Sequence, residues 1–217
     1  MPAKKPRPGK RFRLRLYERL FEMIRWPTFL LIFASYVLWW ISPDRPFLSF
    51  GRDLLLLVSA ISFLLYVASL VAPTLCFVQC RADQIIISTA VYRVSISYAR
   101  VSGIKPLSVG VIYPLKKQGW SQRRFLRPLF HEQKTGQLTA VGMELTKYPL
   151  PIRWLKLWFN EYMFMPGTPG FLFIVRDWMS LSRQIEDYRE QWRARRSTKV
   201  VRNVSIASEV LSKGDKR

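Results

Sequence analysis

The sequence is poor in the residues on which most protein chemistry depends. Its 217 residues include two cysteines, one histidine and 14 acidic residues, against 35 basic ones. Cys76 and Cys80 stand four apart near the end of an apolar run, on one helical face, without the further ligands that a zinc site needs. They read as reduced packing thiols. His131 has no second histidine with which to hold a metal. Carboxylates are equally sparse: Glu132, Glu144 and Glu161 are scattered, and Asp177, Glu186 and Asp187 fall in one predicted helix. No carboxylate pair, Ser/His/Asp set or Gly-rich phosphate loop stands out, so neither catalysis nor a cofactor is expected.

What is present is positive charge and long apolar runs. The formal charge of +21 favours anionic partners: an acidic lipid leaflet, nucleic acid or an acidic protein face. Residues 54–77 (LLLLVSAISFLLYVASLVAPTLCF) hold no charge and are flanked by Arg52-Asp53 and Arg81. As a helix they span roughly 36 Å, enough for a hydrocarbon core of about 30 Å with some tilt. A helix in a soluble core would break such a run with polar residues on its outer face. A membrane protein follows, with lipid as the simplest anionic partner. Nucleic-acid binding is not expected, because no recognition motif accompanies the charge.

A second uncharged run, residues 26–41 (WPTFLLIFASYVLWWI), is short for a span but carries Trp26, Tyr36, Trp39 and Trp40, the aromatics of membrane interfaces. The connector 42–53 is rich in Pro and Gly, and the two runs read as a transmembrane hairpin; a re-entrant first segment is the alternative. Residues 1–25 form a basic N-terminal segment. From Arg11 onward Phe12, Leu16, Leu20 and Met23-Ile24 recur at helical spacing, predicting a basic amphipathic helix along the interface. No A-x-A-like site follows, so the segment is expected to be retained. Basic residues before the first run and after the second place both termini in the cytoplasm. The protein is thus expected to be multi-pass in the cytoplasmic (inner) membrane.

Beyond Cys80 the chain turns β-rich. Residues 84–88 and 92–97 read as strands, 98–107 breaks at Gly103 and Pro106, and 108–113 resumes as a third strand. Residues 116–128 read as a basic, aromatic-bearing loop, and 138–147 alternates like a half-buried strand. The turn PGTPG at 166–170 precedes a last strand at 171–175. Residues 177–193 form an amphipathic helix with Trp178, Leu181, Ile185, Tyr188 and Trp192 in one stripe. Residues 194–217 read as a disordered basic tail.

Three places resemble the bacterial pleckstrin-homology membrane proteins: the strand pair 84–87 and 92–97, the phrase ISYARVSGI at 96–104, and the strand 171–175 running into the helix 177–193. The resemblance covers residues 78–193 and the preceding hairpin, and departs from the family in a long basic insertion at 105–134. It implies an α+β membrane protein in which the two-helix hairpin, 26–77, precedes a PH-like antiparallel β-domain capped by a C-terminal amphipathic helix. The family implies binding or oligomerisation rather than catalysis.

Two segments are candidate binding elements. Lys116, Lys117, Arg123, Arg124 and Arg127 surround Trp120 and Phe125, so the cations can meet lipid phosphates while the aromatics enter the interface. A solvated cytoplasmic loop is the bland alternative. Trp154, Trp158, Phe159, Tyr162 and Phe164 exceed what a small core needs and suggest a patch for a partner protein, a second copy or the bilayer. The bland alternative is a pair of core strands. The expected function is a membrane-anchored module that binds partner proteins or anionic headgroups. A structural or assembly subunit of a larger membrane complex is the alternative.

Overall fold

Two short strands bracket a long helical hairpin and tie its open end together. The computed structural model describes residues 8–41, 49–114, 118–131 and 138–214. Strand β1 (Arg11–Arg13) pairs antiparallel with β2 (Phe77–Cys80), Phe12 opposite Val78. Between them run α1 (Arg15–Ile41) and α2 (Ser49–Leu75), which pack on each other. Because β1 leads into α1 and β2 leaves α2, the two helices are antiparallel. Both are long and apolar enough to cross a membrane.

The contact between these helices uses small hydroxyl residues. Thr28 and Ser35 on α1, and Ser62 and Ser69 on α2, are buried at seven-residue spacing. The Thr28 hydroxyl donates to the Ile24 carbonyl at 2.9 Å, that of Ser35 to Leu31 at 2.7 Å, and that of Ser69 to Tyr66 at 2.7 Å. Side chains of this size let helix backbones approach closely, and the returned hydrogen bonds satisfy the Thr28, Ser35 and Ser69 hydroxyls. Phe29 meets Tyr66 across the pair, with ring centroids 6.0 Å apart.

The sheet continues from β2 to β3 (Gln84–Ser88) and β4 (Arg93–Ser97), in the order β1-β2-β3-β4. A 3-10 turn, Tyr98–Arg100, then carries the chain into a second sheet of β5 (Val101–Ser108), β6 (Thr139–Leu145) and β7 (Gly170–Phe173), in that order. One apolar core joins the two sheets, with Ile85, Ile87 and Ile96 from the first and Val141, Met143, Phe171 and Phe173 from the second. The last helix, α6 (Trp178–Gly214), contacts β2, β5 and β6, burying Leu181 and Ile185. Its apolar stripe falls where the spacing predicts.

Several elements differ from expectation. The basic segment from Arg11 is not one interfacial helix: residues 11–13 form an edge strand, and from Arg15 the chain joins the apolar run in a single helix. Residues 101–108 form a strand where Gly103 and Pro106 suggested a break. β5 is an edge strand, where a proline is tolerated, and the register shifts at Gly103 as a bulge. Residues 109–112 form a helical turn, α3 (Val109–Ile112), instead of a strand. The basic loop is largely a helix, α4 (Trp120–His131). β6 is buried on both faces rather than one. Residues 194–214 continue α6 instead of forming a disordered tail, since nothing between Arg193 and Gly214 breaks a helix. Arg195 supports this extension, donating to the Ala82 carbonyl and pairing with Asp83 at 3.6 Å.

Candidate functional site at the base of the hairpin

Strand register fixes which end of the first sheet faces the hairpin. Phe77 lies two residues after α2 and pairs with Ser88, which in turn pairs with Arg93. The turn between β3 and β4 therefore sits at the hairpin end. Its Thr89 amide donates to the Tyr92 carbonyl at 2.8 Å, and its Val91 side chain is 78% exposed.

Tyr92 brings a second element to the same end. Its ring stacks on Trp158 at 5.4 Å and meets Phe159 edge-on at 6.2 Å, while the Trp154 indole N–H donates to its hydroxyl at 3.3 Å. These contacts seat α5 (Ile152–Trp158) beside the turn. Leu155 anchors α5 in the core, whereas Ile152, Trp154 and Leu157 remain exposed, Leu157 at 68%, beside exposed Arg153 and Lys156. Just after α5, the Asn160 amide donates to the Tyr17 hydroxyl of α1 at 3.1 Å. The aromatic segment is thus fastened to the root of the first long helix.

The candidate partner-binding residues divide accordingly. Phe159, Tyr162 and Phe164 are core, packed with Phe171, Phe125 and Tyr148, and do not form an exposed patch. Trp158 is half-buried by its Tyr92 stack. Trp154 is exposed, and Ile152, Leu157 and Val91, which sequence reasoning missed, stand exposed at the same end of the fold. The exposure of Ile152 and Leu157 was hidden because the segment shows neither clean helical nor clean strand spacing.

Of the candidate lipid-binding residues, Lys116 and Lys117 lie outside the described residues. Trp120, Arg123, Arg124 and Arg127 share one face of α4, opposite buried Phe125, Leu126 and Leu129. Trp120 is 76% exposed with the Arg124 guanidinium 5.6 Å from its ring, and Arg123 Nε donates to the Gln118 carbonyl at 2.7 Å. The i, i+3, i+4, i+7 spacing of these four residues was the available signal for a helix.

α4 packs against α1, and between them opens a groove of about 550 Å³. Arg15, Glu18, Arg19 and Glu22 of α1 line one wall, and Arg127, Pro128 and Leu129 of α4 line another. Arg176 also lines it, brought close because the Arg15 amide donates to the carbonyl of Ile174, two residues earlier, at 3.0 Å. Arg15 pairs with Glu18 at 3.3 Å and Arg19 with Glu22 at 3.2 Å. Arg127 and Arg176 take no partner among the described residues. The Arg19 Nε–H takes no acceptor among the described residues.

The cysteines lie apart from these surfaces. Burial pushes the Cys80 thiol up to about 12, and the Tyr98 phenol beside it donates to the Arg81 carbonyl at 3.0 Å. Among the described residues, no three His, Cys, Asp or Glu side chains converge as metal ligands. No protein-family model matches the chain, and no curated protein or solved structure matches it either.

Proposed function

We propose that this protein is a non-enzymatic module anchored in the cytoplasmic membrane by α1 and α2, with its β-domain and both termini on the cytoplasmic side. Through that domain it binds anionic headgroups and partner proteins at the bilayer surface. One observation carries the reading: only 11% of the most apolar window of each long helix is buried. A soluble protein rarely leaves so large an apolar surface uncovered, whereas lipid covers it without cost. The exposed Val91, Trp154 and Leu157, with Arg153 and Lys156, stand at the same end as the hairpin, as an interfacial belt would. The hairpin does not precede the β-domain as expected but is set between the first two strands of its first sheet.

The alternative, a subunit of a larger membrane complex, draws on the same bare helix faces, which other helices can cover as well as lipid can. Purification from native membranes in mild detergent, with mass spectrometry of proteins and lipids, separates the two. Retained anionic lipid without a stoichiometric protein supports the lipid-reading module. A fixed set of protein partners supports the subunit. Complete release of the chain from membranes by alkaline washing would overturn both.

A further inference from the structure

We propose that Arg19, Arg127 and Arg176, gathered where α1 leaves the sheet, form a binding site for a phosphate group carried by a lipid headgroup. The inference rests on the anchored reading above and names the ligand that the β-domain holds at the surface.

The charges in the groove do not balance internally. Glu18 and Glu22 are each engaged by an arginine of their own helix, so the cations of Arg127 and Arg176 face one another's field without a described counterion. Like charges sharing a partly enclosed space repel, and an anion between them removes the repulsion. The Arg19 guanidinium spends one N–H on Glu22, and its Nε–H, like those of Arg25 and Arg189, takes no acceptor among the described residues. The three cations come from three separate parts of the fold, α1, α4 and the link between β7 and α6.

Chemistry and position then narrow the ligand. Every cation lining the groove is arginine, whose planar fork matches two oxygens of a phosphate, where lysine offers only a point charge. A volume of about 550 Å³ is larger than a bare phosphate requires and admits the phosphate with its headgroup substituent. Glu22 stands one helical turn, about 6 Å, before Trp26, where the uncharged run begins. The groove therefore opens at headgroup depth. An acidic peptide segment offers carboxylates to the same arginines, but it would have to enter between two helices at the bilayer surface, where lipid phosphates already lie.

The test uses the full chain in mild detergent, with native mass spectrometry to count retained phospholipid through stepwise delipidation. The variants are R127A/R176A and the charge-matched control R183A/R193A, whose residues lie exposed on α6 outside the groove. Wild type and control should retain phosphatidylglycerol in preference to phosphatidylcholine, and the groove variant should lose at least tenfold of that occupancy with an unchanged melting temperature. R127K/R176K should recover it in part, since charge returns without the fork. Glycerol 3-phosphate at millimolar concentration should fail to displace the lipid; binding it as tightly as lipid would keep the phosphate site and assign it a soluble ligand. Equal retention by wild type and groove variant, or equal loss in variant and control, overturns the site. So does occupancy by a protein segment in place of lipid. Alkaline extraction of native membranes is scored in parallel: release of the wild-type chain defeats the anchored reading, whereas membrane retention with undiminished lipid in the groove variant defeats the site alone.

Discussion

The hydroxyl of Tyr17 in the first turns of α1 accepts a hydrogen bond from the backbone amide of Asn160, at 3.1 Å and across 143 positions of sequence. It is a direct link between the root of the hairpin and the segment that follows α5. The Tyr17 ring is buried and the hydrogen bond is partly so. Tyr17→Phe should destabilise the fold by about 1 kcal/mol, the net worth of one such hydrogen bond. A thermal melt of the detergent-solubilised variant that overlays wild type would show that the amide finds another partner.

Asp177 caps α6. Its Oδ1 accepts from the Ser180 amide at 3.0 Å, and the hydrogen bonds from Ser180 hold its carboxyl below the ordinary value of 3.8. A carboxyl lowered by folding stabilises the fold fully above its unfolded value, and that contribution disappears as pH falls through the folded one. Asp177→Ala should cost about 1 kcal/mol near neutrality. The difference from wild type should shrink below about pH 4. A difference that persisted undiminished at pH 2 would place the effect elsewhere than in the charged cap.

Leu157 and Asp83 offer a depth gauge. Leu157 stands at the hairpin end of the fold, and Asp83 in the turn between β2 and β3 at the opposite end. The native thiols, Cys76 and Cys80, are buried, so a new surface cysteine labels selectively. In bilayers a dye on Leu157→Cys should be shielded several-fold from an aqueous quencher relative to one on Asp83→Cys. Equal quenching at the two sites would remove α5 from the interface.

Gly170 begins β7 where two backbone segments pass closely. A Cβ there would lie 2.6 Å from the Met143 carbonyl, and the Tyr148 hydroxyl both accepts from the Gly170 amide (3.0 Å) and donates to its carbonyl (3.1 Å). Backbone cannot retreat as a flexible side chain can. Gly170→Ala should therefore cost about 1–3 kcal/mol, the usual range for overpacking. Denaturant midpoints of the two proteins measure it, and matching midpoints would mean that β7 shifts freely.

Local patterns were legible and distant partnerships were not. The uninterrupted run before Cys76, the β-branched residues from Gln84 to Ser97 and the Trp178–Trp192 stripe each state their structure in their own spacing. β1 does not, because three residues in a basic segment become a strand only by meeting β2 on the far side of the hairpin. Pro106 misleads for a related reason: it breaks a central strand, and nothing local says that β5 lies on an edge. The candidate site shows the same division. The cations at Arg123, Arg124 and Arg127 were visible, but the groove needs Arg19 and Arg176 as well, and only packing brings those together. In the aromatic segment, composition gave the residues and burial decided their use, sending Phe159 and Phe164 inward and leaving Trp154 outside.

The placement of the hairpin between β1 and β2 gives the chain an order of assembly. When Phe12 leaves the ribosome, the strand that will flank it is still untranslated, and everything from Arg15 to Leu75 must be synthesised before Val78 arrives. An open loop of that length closes only at an entropic cost, and folding the loop into two antiparallel rods brings its ends together beforehand. Pairing of the helices thus works as an internal template for the first sheet. A nascent chain stopped inside α2 should hold β1 as an unpaired basic strand.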